Sequence, residues 1–194
     1  MNETYKVQVQ GLVDDLKAVF THAGLGGEAG EYKLLTQSFL YKFLNDKFLY
    51  QAKVLDESNT YENLLAMSEE DYDWLLEDIG TSTAWLKPDQ LIESLHRQQN
   101  EATFYETFEN TLNQIAIDNN DIFSVYTDGD TAIRLFDERL ITDTISDSSK
   151  RNEVAKAIIN LLARVKFDET IFSQGFDFFS TLFEYMIKDY NKDG

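Results

Sequence analysis

Asp189-Tyr190-Asn191-Lys192-Asp193-Gly194 follows the D-x-[DN]-x-[DN]-G pattern that opens a calcium loop, where alternate oxygen ligands wrap a hard cation. The bidentate glutamate needed at loop position 12 is not among the 194 residues, so the hexad reads as the polar exit of a helix. Gly24-Leu25-Gly26-Gly27-Glu28-Ala29-Gly30 contains G-x-G-x-x-A, the spacing that turns backbone amides toward a pyrophosphate. That chemistry requires a strand ahead of the glycines, whereas Leu16 to Phe20 reads as the end of a helix. The segment is expected to be a connection. His22 and His96 fit no H-x3-H or H-E-x-x-H spacing, so metal ligation is not expected and surface or interface positions are. Glu69-Glu70-Asp71-Tyr72-Asp73 supplies paired carboxylates, but ahead of Trp74 and Leu75 it reads as a solvated first turn favoured by the helix dipole. No G-x-S-x-G elbow and no Walker loop occurs, and cysteine is absent, which removes thiolate nucleophiles, thiolate zinc sites and disulfides.

Charge is more informative than any of these motifs. Lys and Arg number 17 against 35 Asp and Glu, for a net charge of −18. The imbalance is local. Residues 56–93 carry Lys87 against eleven acids, whereas Lys33, Lys42, Lys47 and Lys53 outweigh Glu31 and Asp46 over 31–55. Residues 150–166 hold Lys150, Arg151, Lys156, Arg164 and Lys166 against Glu153 alone, a patch of the kind that can face phosphates. Lys42 and Lys53 lie eleven residues apart, within ~20° on one helical face. Lys156 and Arg164 share the polar face of another helix. These four are the candidate DNA-proximal residues; no catalytic, cofactor-binding or metal-ligating residue is expected.

The elements that position them follow from periodicity and from the scarcity of breakers, since glycine occurs nine times and proline only at Pro88. Between Glu31 and Leu55 apolar residues cover most of the wheel, leaving Ser38, Lys42, Asn45, Asp46 and Lys53 as a polar strip around Leu49, which predicts a buried central helix. Phe104, Phe108, Leu112 and Ile115 share one helical face, with Glu101, Glu106 and Glu109 expected to turn to water. Val154, Ile158, Leu161 and Val165 repeat the pattern opposite Glu153, Lys156, Asn160 and Arg164, with Ser148 or Ser149 expected to cap the start. Shorter helices are expected after Ser68 and Pro88, a last aromatic helix over about 176–190, and a single short strand over 122–126. The expected fold is all-α, one compact helical domain of six to eight helices with little or no sheet. An N-terminal helix and Gly-rich connection occupy 1–30, the bundle 31–190, and the start of a linker 191–194. Phe39, Phe43, Leu44, Phe48, Phe108, Leu161 and Phe183 are its expected core. Neither a secretory signal nor a run of 18 apolar residues is present, so no membrane partner and a cytoplasmic location are expected.

Two segments resemble a known family. Glu31-Tyr32-Lys33-Leu34-Leu35 with Phe39-Leu40-Tyr41-Lys42-Phe43-Leu44 is similar to the opening helix of the modification subunit, a DNA adenine methyltransferase, of type I restriction-modification systems. Phe176-Asp177-Phe178-Phe179 with Leu182-Phe183-Glu184-Tyr185-Met186-Ile187 is similar to that family's D-x-x-G-x-x-Y-E-Y-L-I helix, which precedes its methyltransferase domain. Ser180 stands where the family usually has glycine, and residues 20–30 replace a commoner L-R-G-containing segment. The resemblance implies an N-terminal helical domain that helps to clamp double-stranded DNA and to assemble with a specificity subunit, a second modification subunit and a restriction subunit. It implies S-adenosylmethionine as the cofactor of the parent protein but none for these residues, because the Asn-Pro-Pro catalytic motif and the cofactor's glycine loop are absent from them. Composition and the terminal hexad alone leave a second reading open, a stand-alone, calcium-responsive helical interaction module.

Overall fold

The computed structural model describes residues 3–81, 83–120, 136–167, 169 and 172. Among these the chain forms eight α-helices and no strand: α1 (Glu3–His22), α2 (Ala29–Leu55), α3 (Tyr61–Ala66), α4 (Glu69–Ile79), α5 (Ile92–Arg97), α6 (Phe104–Asp118), α7 (Leu140–Thr144) and α8 (Ser148–Arg164), with a 3-10 turn at Pro88–Gln90. The all-α expectation holds. The strand at 122–126, the last helix at 176–190, Phe183 and the terminal hexad lie outside the described residues.

At 27 residues α2 is about 40 Å long and runs through the middle of the domain. Helices α1, α4, α7 and α8 all pack on it, and α8 also packs against α1, α5 and α6. Phe39 and Phe48 are fully buried along α2, Phe43 and Leu44 nearly so, and Phe108 of α6 and Leu161 of α8 join the same core. The core does not stop at residue 30. Leu12, Leu16 and Phe20 of α1 are buried in it, so the N-terminal helix packs as part of the bundle.

Polar turn chemistry ends α2 without glycine or proline. The Asp56 carboxylate accepts from the Ser58 N–H at 2.9 Å, Asn59 Nδ2 donates to the Ala52 carbonyl at 2.9 Å, and Thr60 then caps α3. Ser68 caps α4 as its sequence suggests, accepting from the Asp71 N–H at 3.1 Å. The start of α8 departs from expectation. Asp147 is the capping residue there, accepting from the Ser149 N–H at 3.0 Å, because a carboxylate one residue earlier reaches the first free amides. Of the Gly24–Gly30 segment, residues 24–28 form a tight connection between α1 and α2 with positive φ at Gly24 and Gly27, Ala29 and Gly30 already belong to α2, and the Gly27 N–H is taken by the Glu31 carboxylate at 2.6 Å.

Among helices α3 to α8, three have no capping side chain of their own. Leu91, Thr103 and Arg139 precede α5, α6 and α7 without accepting a hydrogen bond, and in each case another helix supplies the acceptor. Asn45 of α2 accepts from the Ile92 N–H at 2.9 Å, and Asn152 of α8 accepts from the Tyr105 N–H at 3.0 Å. Glu109 of α6 accepts from both the Thr142 N–H and its hydroxyl at 2.8 Å. This overturns one surface expectation. Glu109 is 4% exposed rather than turned to water, while Ser38, Lys42 and Asn45 of the polar strip are buried along with the central helix that carries them. A wheel ranks faces within one helix, whereas the neighbouring helix end decides which polar side chain is drawn inside.

The long connection from α4 to α6 is held the same way. Asn119 accepts from the Trp85 N–H at 2.7 Å and donates to the Trp85 carbonyl at 2.8 Å. Tyr41 donates to the Gln90 carbonyl at 2.6 Å and Tyr72 to the Leu86 carbonyl. Burial, with the Asp89 carboxylate nearby, pushes both phenols well above their ordinary range.

Two predictions follow from these contacts. Glu109→Ala and Asn119→Ala, each stranding backbone groups in the core, should lower unfolding free energy by about 1–3 kcal/mol in urea titrations, while Glu106→Ala on the exposed side of α6 should change it by less than about 0.5 kcal/mol. Above pH ~10 the unfolded tyrosines lose protons that folded Tyr41 and Tyr72 retain, so stability should fall as pH rises, by up to about 1.4 kcal/mol per pH unit for each group. Denaturant melts across that range should show the slope, and Tyr72→Phe should reduce it.

Candidate functional site

The sequence pairs Lys42 with Lys53, and the structure opens both into one cleft of about 470 Å³ between α2, α3, α5 and the end of α8. Its charges nearly cancel. Lys42, Lys53, Arg97 and Lys166 line it together with Asp46, Glu62, Glu93 and Glu169. On the floor, Lys42 Nζ lies 3.1 Å from Asp46, one helical turn along α2, and its side chain is only 5% exposed. The same ammonium lies 5.6 Å from the centre of the Phe167 ring. Burial, reinforced by the nearby Lys166 ammonium and opposed by Asp46, lowers the Lys42 pKa from the ordinary lysine value. Lys42 therefore serves the interior of the cleft.

At the rim Lys53 is half exposed and 4.0 Å from Glu169, a contact that solvent screens. Arg97 holds the opposite wall, bonded to Glu62, 3.6 Å from Glu93 and stacked over the Tyr61 ring at 4.9 Å. Tyr61 in turn shares a hydrogen bond of 2.8 Å with Ser94, and Ser94 donates to the Pro88 carbonyl at 2.6 Å. Residues from four separate elements thus meet at one mouth. Arg97 and Lys166 were not among the four expected site residues, and only the folding of α5 and α8 onto α2 brings them there.

Lys156 and Arg164 meet different surroundings. They flank Asn160 on the outer face of α8, Arg164 exposed and Lys156 half-buried, and neither has an ion-pair partner among the described residues. Asn160 between them is tied to α5 and its exit, its Oδ1 accepting from His96 Nε2 at 2.9 Å and its Nδ2 donating to Gln99 at 2.8 Å. His96 therefore joins the centre of this strip from another helix, an interface position consistent with its expected role. Lys150 extends the strip toward the start of α8, and Glu153 is the acid on the same face, whereas Lys166 beyond the helix end belongs to the cleft. Arg151 is turned inward, donating to the Ile145 carbonyl at 2.9 Å and lying over the Tyr105 ring. At the other end of α8, His22, Lys150 and Glu153 border a second hollow of about 550 Å³ against α1, walled mainly by alanine and valine.

The arrangement is suited to binding. Among the described residues no group of three His, Asp or Glu side chains is placed to hold a metal ion. The glycine-rich segment does not fit a nucleotide or S-adenosylmethionine loop, since a helix rather than a strand precedes it and the Gly27 amide is already satisfied by Glu31. No helix among the described residues is long and apolar enough to cross a membrane.

The two lysines of the cleft should respond differently to substitution. Asp46→Ala leaves Lys42 without its counter-ion in a desolvated position and should reduce unfolding free energy by about 3 kcal/mol. Lys53→Ala, at the screened rim, should change it by no more than about 0.5 kcal/mol in the same urea titrations.

Comparison of the chain with protein-family models, with curated proteins and with solved structures finds no match.

Proposed function

We propose that this chain is the N-terminal helical domain of the modification subunit of a type I restriction-modification system, a cytoplasmic adenine-specific DNA methyltransferase. In that role it closes over double-stranded DNA opposite a catalytic domain that binds S-adenosylmethionine, and it assembles with a specificity subunit, a second modification subunit and a restriction subunit. The observation that carries the DNA-facing part is the outer face of α8, where cations without ion-pair partners among the described residues gather on a domain of net charge −18. The resemblance of residues 31–44 and 176–187 to the family's two helices supplies the rest.

Charge and geometry make the division of labour physical. A net charge of −18 opposes encounter with a polyanion, so the isolated chain gains little from long-range attraction. Screening shortens that repulsion to ~8 Å at physiological ionic strength, and a local basic strip can then meet phosphates once partner subunits hold it close. Eight residues separate Lys156 from Arg164, about 12 Å along the helix, which is comparable to the width of the major groove and lets the pair reach phosphates on its two edges. Such contacts position the domain without reading bases. A methyltransferase must flip its target base from the duplex, and a helical domain gripping the backbone holds the distorted DNA while that happens. Lys53 can contribute from the cleft rim, whereas Lys42 acts by keeping α2 and the exit of α8 in register through Asp46 and Phe167.

In the assembled methyltransferase, Lys156→Ala or Arg164→Ala should each lower the salt dependence of duplex binding by about one unit in the log–log slope and leave sequence preference nearly unchanged. Fluorescence anisotropy over a salt series measures both. An unchanged affinity and slope for both variants would reduce the strip to solvated surface. Calorimetry of the isolated chain should show no S-adenosylmethionine binding in the micromolar range, and a micromolar calcium dissociation constant with a rising Tm would favour the calcium-responsive interaction module instead.

A further inference from the structure

Helix α4 buries one face and leaves the other exposed, without a packing partner among the described residues. Tyr72, Leu75, Leu76 and Ile79 pack inward, whereas Trp74 points away from them and is 60% exposed. A tryptophan this exposed is unusual, because its ring is among the largest apolar surfaces a chain can bury. Its surroundings are uniform in charge. Glu70, Asp71, Glu77 and Asp78 stand four and three residues before it and three and four after it, which on an α-helix makes them its immediate neighbours. All four are exposed, the helix contains no lysine or arginine, and none of the four pairs with a cation among the described residues.

We propose that the outer face of α4 is a docking surface for a lysine- and arginine-rich segment of a partner protein, with Trp74 as its anchor. The ring marks the surface, and the charges select the occupant. Basic side chains have apolar stems that can lie across an indole while their heads reach the carboxylates on either side, so one segment satisfies both halves of the patch. A cation held over the indole face gains further from the ring's quadrupole. Nucleic acid is excluded by sign, since six acids project from this one helix. The surface belongs to a different helix from the basic strip of α8, so the two do not compete for one partner.

The test uses the full 194-residue chain and a short amphipathic peptide rich in lysine and arginine, followed by proton–nitrogen correlation spectra. The chain's two tryptophans, Trp74 and Trp85, each give an indole N–H signal, and Trp74→Ala assigns them. The peptide should shift the Trp74 indole and the α4 amides while leaving the Trp85 indole, which donates to the Gly80 carbonyl, in place. Trp74→Ala should weaken binding by at least about fivefold, Trp74→Phe by less, and Glu70→Gln with Glu77→Gln should weaken it and flatten its salt dependence. All are exposed substitutions, and an unchanged circular dichroism spectrum certifies the fold. Equal affinity for Trp74→Ala would overturn the proposal by showing that the acids merely gather cations. So would shifts spread over other acidic segments, a Trp74 shift that appears on concentrating the chain alone, or an equal shift with a DNA duplex.

Discussion

Three helix starts that cannot cap themselves govern the packing of this domain. An α-helix begins with amide groups that have no partner within it, and a buried start without an acceptor is costly. The starts of α5, α6 and α7 solve this through Asn45, Asn152 and Glu109, each borrowed from a different long helix. Each bond fixes direction as well as distance, so it sets the register between two helices in a way that apolar contact does not. Asn152 also donates to the Ala102 carbonyl at 2.6 Å, which clasps α6 from both sides of its first turn. The apolar core supplies most of the driving force, and these polar contacts select one arrangement of that core.

Along the stretch of α2 that lies inside the bundle, polar residues are put to internal use. Asn45 is used as a cap, Tyr41 as a loop tether and Lys42 as one half of an ion pair with Asp46. Asn45 also donates to Asp46 at 2.9 Å, so the carboxylate that faces Lys42 is itself held in place. Of the charges lining the cleft above them, Lys42, Lys53 and Arg97 lie against carboxylates. Its mouth belongs to side chains on α3, α5 and the exit of α8, which the central helix brings within reach of each other.

The outer helices show the opposite pattern. On α8 the cations lie along a face tied to α5 and its exit through Asn160, which meets His96 and Gln99. On α4 the acids surround an exposed indole. A molecule of net charge −18 thus keeps a positive strip on one helix and concentrates acids on another.

Periodicity alone determined the helical class, the burial of α2, the apolar faces of α6 and α8, and the separation of charge into acidic 56–93 and basic 150–166. Each of these depends on residues a few positions apart, where the geometry of one helix suffices. Local chemistry likewise announced Ser68 as a cap, though it misplaced the start of α8, where Asp147 outcompetes the two serines. The fate of individual polar side chains was not legible in this way. Glu109 and Glu106 look alike on a wheel, yet only Glu109 meets the uncapped start of α7, 33 residues further along the chain. Lys42 and Lys53 share a face, yet one is enclosed by α8 and the other reaches the rim. Arg97 and His96 carried no motif, and they became part of a cleft and a strip because α5 lies beside α2, α3 and α8. Burial of a polar group depends on whether a distant partner arrives to satisfy it, and only the tertiary structure decides which partner that is.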